Sequence, residues 1–153
     1  MTAPDGPALA PTGPLDPGLF ALLTRGHLAL VGDPLVPAGA DARWLYEDAP
    51  FGLLAHAAEE DPRFVYANRH AQDRFASTWD GLVGTRSRLA AEPDAQEDRD
   101  RLLAAVARDG VFRGYRGRRI GRTGHRFWIE DVTMWNLVDG DGATVGQAAR
   151  FAG

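Results

Sequence analysis

The stretch from Val111 to the C-terminus constrains this fold more than any other. It reads "VFRGYRGRRI", then "GRTG", then "HRFWIEDVTMWNLV", then "DGDG", then "ATVGQAARF". Runs rich in β-branched and aromatic residues, separated by Gly/Asp turn chemistry, predict a three-strand antiparallel meander. Strict alternation along the long strand places Phe127, Ile129, Thr133, Trp135 and Leu137 on one face. Trp128, Val132, Met134 and Val138 then fall on the other. Both faces are apolar, whereas a sheet with one wet face alternates more cleanly. Both must be covered, and the rest of the chain has to supply the covers.

Asp16-Pro17 is a helix start, an N-cap residue followed by proline where its missing N–H costs nothing. The helix it opens carries Leu19, Phe20, Leu22, Leu23, Leu28 and Leu30 around much of its girth, with Gly26 weakening its middle. A helix this apolar needs a partner surface. Docked on the strand face with Trp128, Val132 and Met134, it covers that face. Its leftover apolar edge then meets a second copy of the chain. A homodimer is therefore expected, with Leu19, Phe20, Leu23, Trp128 and Met134 at the interface.

Residues 51–57 and Phe64 to Ala67 read as two strands around the turn Glu59-Glu60-Asp61-Pro62, and Asn68 as the cap of a short helix. Ser77-Thr78 starts a further helical turn that ends at Gly84. Asp94-Ala95-Gln96-Glu97 resembles a capping box opening a longer helix, with Glu97 and Arg101 paired four apart and Gly110 as terminator. The short helices are expected to close the concave side of the sheet. Residues 1–14, rich in Pro, Ala and Gly, read as a disordered tail. Residues 15–43 read as the N-terminal helix and a linker, and residues 44–153 as the domain proper.

Composition removes whole classes of chemistry. None of the 153 residues is cysteine, which excludes disulfides, thiolate metal sites, cysteine nucleophiles and a flavin–thiol adduct, so no photochemistry is expected. All 17 basic residues are arginine, which excludes Schiff-base lysines and a P-loop lysine. A net charge of −4 argues against nucleic-acid binding. No apolar run approaches the roughly 18 residues that span a bilayer, and the N-terminus lacks a basic leader, so the expected address is cytoplasmic.

Ser77, Thr78, Ser87 and Thr133 show no suggestive spacing to His56, His70 or His125, so no catalytic residue is expected. The histidines are scattered singly, and no metal site is expected. The arginines between Arg113 and Arg126 read as a solvated sheet edge that the acidic stretch Glu92–Asp100 neutralises. In "GTRSRLAAEP", one arginine is expected to tie the loop to Glu92 or Asp80, leaving Arg88 to face a pocket and hold an anionic group. Tyr66, Phe75, Trp79, Tyr115, Phe127 and Trp135 line that pocket or simply fill a core. Gln147 and Asn136 stand on neighbouring strands to satisfy buried Tyr and Trp groups. With Asn68, these complete the candidate pocket.

The order of two strands, short helices, a longer helix and a three-stranded meander is the order of the PAS fold. "VYAN", a Phe seven residues on, and "TWDGLVG" agree with it. More closely, "DPRFVYANRHAQDRF", "TWDGLVGTRSRLAAEP", "RDRLL", "YRGRRIGRTGHRFWIEDVTMWNLVDGDG" and "VGQAARF" resemble the MEKHLA family of PAS-like domains over about residues 44–151. The segment from Leu15 is similar to the one preceding the domain in bacterial stand-alone members. The resemblance implies an α+β fold, with a five-stranded antiparallel sheet, short helices on one face and an N-terminal capping helix. It implies sensing or interaction, without a catalytic residue or an agreed ligand. In PAS-like folds a helix histidine can ligate haem, which makes His70 the one candidate, read more simply as a partly exposed surface residue. The expected function is a non-catalytic sensor or regulatory domain that binds an unidentified small molecule or a protein partner. The alternative is a pure dimerisation module with a filled core. A small α+β enzyme would need a buried Asp/His pair in a cavity, which the sequence does not predict.

Overall fold

The structure, a computed structural model, describes residues 9–152. Strands β1 (Gly52–Ala57), β2 (Phe64–Ala67), β3 (Val111–Ile120), β4 (Arg126–Val138) and β5 (Thr144–Ala152) form one antiparallel sheet in the order β2-β1-β5-β4-β3. The meander and the early hairpin join at the centre, where β1 pairs with β5 from Gly52 opposite Phe151 to Ala57 opposite Gly146. Helices α1 (Pro17–Leu30), α2 (Arg69–Arg74), α3 (Trp79–Leu82) and α4 (Gln96–Asp109) cover it, with 3-10 turns at Ser87–Ala90 and Pro93–Ala95.

The helix ends follow from single residues. The Asp16 carboxylate accepts from the Leu19 N–H at 2.7 Å, and Pro17 takes the first helical position. Asn68 and Thr78 cap α2 and α3 through the N–H groups of Ala71 and Gly81. Gly110, at φ 87°, ends α4 in the left-handed region that favours glycine. The expected capping box is not there. Asp94 lies in the preceding 3-10 turn and pairs with Arg118, while α4 begins at Gln96 behind Ala95, with no side-chain cap.

Each face of the sheet has its own core. On the outer face Leu19, Leu22 and Leu23 of α1 pack with Leu45, Tyr66, Trp135, Leu137 and Ala148. On the inner face α2, α3 and α4 enclose Phe75, Leu102, Val106, Ile129, Val132, Met134 and Phe151. Gly26 is a contact point rather than a weak spot, because a Cβ there would lie 3.2 Å from the Trp135 ring. Its absence lets α1 approach the strand. The loop after α1 joins the same core through buried Val31 and Leu35.

The strand faces differ from the alternating reading. Phe127 and Ile129 share the inner face with Val132 and Met134, whereas Trp135 and Leu137 point outward under α1. The cause is a bulge. The β4–β5 register shifts between Glu130 and Thr133, and Asp131 sits at φ 51°. One extra residue moves every following side chain to the opposite face. So α1 covers Trp135 and Leu137, not Val132 and Met134. Of the tail expected over residues 1–14, residues 1–8 lie outside the described residues. Leu9 packs against the outer core, and its N–H reaches the Val145 carbonyl at 3.4 Å.

Candidate functional site

The inner face is not completely filled. Between β1, β4 and β5 on one side and α4 with the Ser87–Ala90 turn on the other lies a cavity of about 60 Å³. Its walls are apolar where Leu102, Ile129, Val132, Met134 and Phe151 meet it, and polar at His56, Ser87, Arg99, Arg119 and Gln147. These polar groups reach it because β1 and β5 alternate side chains between faces, and because Arg99 shares the buried stripe of α4 with Leu102 and Val106.

Four of them form one directional chain. The Arg99 guanidinium donates to Ser87 Oγ. Ser87 Oγ lies 3.1 Å from His56 Nδ1, and His56 Nε2 lies 2.9 Å from Gln147 Oε1. An N–H at Nε2 donating to that amide oxygen leaves Nδ1 to accept the Ser87 hydroxyl. Gln147 Nε2 then donates to Asn136 Oδ1 and the Leu103 carbonyl, each at 3.3 Å. Burial lowers the His56 pKa to about 4, with the Arg99 charge acting in the same direction. The ring is neutral at physiological pH. A serine hydrogen-bonded to a histidine invites comparison with an acyl-transfer pair. Here the orienting group is an amide and the imidazole is too weakly basic at neutral pH to activate a hydroxyl.

Placement sorts the sequence candidates. Phe75 and Gln147 line the cavity. Phe127 packs edge-on against Phe75 at 4.9 Å between centroids, just outside it. Tyr115 sits on the inner face and donates its hydroxyl to Asp98 at 2.6 Å. Tyr66, Trp79 and Trp135 lie on the opposite side of the sheet, in the outer core. Neither Tyr66 Oη nor Trp135 Nε1 has a hydrogen-bond partner within the described residues, and Asn136 and Gln147 bond to each other instead. Asn68, fully buried, is a structural hub: its oxygen accepts from the N–H groups of Leu53 and Ala71, and its amide donates to the Leu45 and Phe51 carbonyls.

Arg88 does not face the cavity. It pairs with Asp61 at 3.2 Å on the surface, as does Arg86, while Glu92 binds Arg126. Of the other arginine-run members, Arg118 meets Asp94, and Arg116 stacks on Trp128 and pairs with Glu130. Arg119 alone turns inward. Among the interface candidates, Leu19, Leu23 and Met134 are buried within this chain, Phe20 is half-buried and Trp128 is 43% exposed.

Sequence reasoning missed His56, Ser87, Arg99 and Arg119. The last two carried a signal: Arg99 falls three residues before Leu102 on the apolar stripe of a helix, and Arg119 alternates in phase with Tyr115 and Gly117.

A five-stranded antiparallel sheet in this order, with short helices over its inner face and a small cavity beneath them, defines a PAS-type domain. The chain belongs to the MEKHLA domain family, whose sequence model matches residues 18–153. No curated protein matches it significantly. Among solved structures, a PAS domain from Colwellia psychrerythraea is similar over 69% of this chain and 87% of its own, with 15% identity and a TM-score of 0.61. The fungal blue-light photoreceptor Vivid, in its light-state dimer, covers 84% and 93%, with 15% identity and a TM-score of 0.59. A light-oxygen-voltage domain studied with a flavin analogue covers 67% and 76%, at 17% identity and a TM-score of 0.54. These likenesses establish the fold. They do not carry a flavin over to this chain: pockets for ligands of that size measure about 300–1,000 Å³, whereas this cavity is about 60 Å³ and the one beside it about 210 Å³. Nor does the chain have a cysteine to form an adduct.

Proposed function

We propose that the chain is a cytoplasmic, non-catalytic sensor module that binds a small molecule in the inner cavity. The observation that carries this reading is the cavity itself, apolar on most sides yet holding two arginines and a satisfied polar chain. A core filled by side chains alone has little use for two buried guanidinium groups that lack a buried carboxylate partner among the described residues, because buried charge is costly unless paired. The polar chain also ties α4 to β1, β4 and β5, so occupancy of the cavity bears on how that helix sits.

Native mass spectrometry of freshly purified protein tests this. A species heavier than the chain by one small-molecule mass, released on denaturation, is the expected result. A spectrum with only the bare chain, together with no stabilising hit in a thermal-shift screen of small metabolites, would refute it in favour of a filled interaction module.

A second reading, self-association, has its own observation. Trp128 is 43% exposed on the outer face beyond α1, with the Arg116 guanidinium 3.7 Å above its ring. Such a large apolar surface group with a stacked cation suits a protein contact.

A further inference from the structure

We propose that Arg99 and Arg119 make the inner cavity a receptor for a small organic carboxylate, in the size range from acetate to butanoate. This deepens the ligand-binding reading above and rests on it.

Arg99 is 7% exposed and Arg119 8%. A guanidinium cannot relieve its burial by losing a proton, and an isolated buried charge is costly. Among the described residues, one carboxylate lies within ion-pair distance of either. It is Asp100, 3.4 Å from Arg99 and itself 69% exposed. Asp98, on the same helix, is engaged by the Tyr115 hydroxyl. Arg119 donates to the Arg118 carbonyl at 2.7 Å and lies 3.5 Å from Tyr115 Oη. The remaining neighbours, Ser87, His56 and Gln147, are neutral. Two cations thus border one cavity with no buried anion to balance them. The Arg99 pKa is lowered by burial first and then by the Arg119 charge.

The chemistry of a fitting anion follows from these groups. A planar guanidinium fork matches a carboxylate with two parallel hydrogen bonds. A volume of about 60 Å³, above the roughly 10–15 Å³ that admits a single water and far below the roughly 300–1,000 Å³ of a drug-sized pocket, suits a ligand of a few non-hydrogen atoms. Leu102, Ile129, Val132 and Met134 offer an apolar wall, suited to an alkyl tail rather than to the further oxygens of phosphate or sulfate. A second cavity of about 210 Å³ shares Phe64, Phe75 and Ala90 with the first and is edged by Leu89, which is 60% exposed. It borders the first on the side of Arg122, while Arg86 on its rim is already paired with Asp61.

Isothermal titration of the full chain with propanoate, propanamide and inorganic phosphate tests the assignment. Propanoate is expected to bind saturably at one site, about tenfold or more tighter than the isosteric neutral amide. Arg119→Met is expected to lose that preference while binding propanamide as before. Since this variant can fail to fold, the propanoate-to-propanamide ratio on the unaltered chain stands as an independent reading. Equal affinity for the two would overturn the anion assignment yet leave a small-molecule sensor. Phosphate binding more tightly than propanoate would overturn the organic class. No binding of any probe, combined with a bare chain in native mass spectrometry, would remove both readings.

Discussion

His56 has both ring nitrogens occupied in an enclosed site, and its pKa of about 4 stands well below the ordinary 6.5. The charged groups acting on it are Arg99, which lowers it, and Glu59, which raises it. The unfolded chain therefore binds a proton near pH 6.5 that the folded chain refuses until about pH 4. Between those values the unfolded state holds more protons, so stability falls as pH falls. The loss is about 3 kcal/mol in all. Buried His27, its pKa lowered chiefly by burial, acts in the same direction. Denaturant titrations at pH 7, 6 and 5 are expected to show declining stability, with a shallower decline in His56→Gln. A flat or rising profile would mean that the ring is charged or exposed. At the same scale, the inward arginine was legible only in part. Its place on the strand followed from alternation, but an arginine run on an edge strand reads as solvated, and nothing local distinguishes the one residue that the cavity receives.

At the scale of elements, the bulge in β4 decides which side chains meet α1. Glu130 and Asp131 are adjacent polar residues inside an otherwise apolar strand, and that break in alternation is the signal a period-two reading overrides. The helix, the strand Phe64–Ala67, the caps at Asp16 and Asn68 and the stop at Gly110 were all legible, because each depends on local chemistry. The faces beyond the bulge depend on register and were not. Two variants test the bulge. Asp131 is exposed at φ 51°, where Asp is tolerated and a β-branched residue is not, so Asp131→Val is expected to cost about 1–2 kcal/mol. Trp135→Ala, which empties the fully buried contact beneath Gly26, is expected to cost about 3–5 kcal/mol. A loss below about 1 kcal/mol for Trp135→Ala would place that ring outside the core.

For the molecule as a whole, the sheet separates two tasks. The outer face is closed by α1 from the same chain, which uses Leu19, Leu22 and Leu23 and leaves them unavailable to a second copy. The proposed contact with a second copy therefore has to use what remains outside, Trp128 included. Sedimentation is expected to show a dimer in the micromolar range that Trp128→Glu weakens about tenfold or more. A chain monomeric at high micromolar concentration would exclude the dimer. The inner face holds the cavity, and this space is proposed to take a ligand rather than the protein's own side chains. A high-resolution crystal structure of protein purified without added ligand tests it most directly. Density for a compact molecule in the inner cavity is expected, in hydrogen-bonding contact with Arg99 or Arg119. Side chains closed over that space, with both guanidinium groups turned out to solvent, would contradict it.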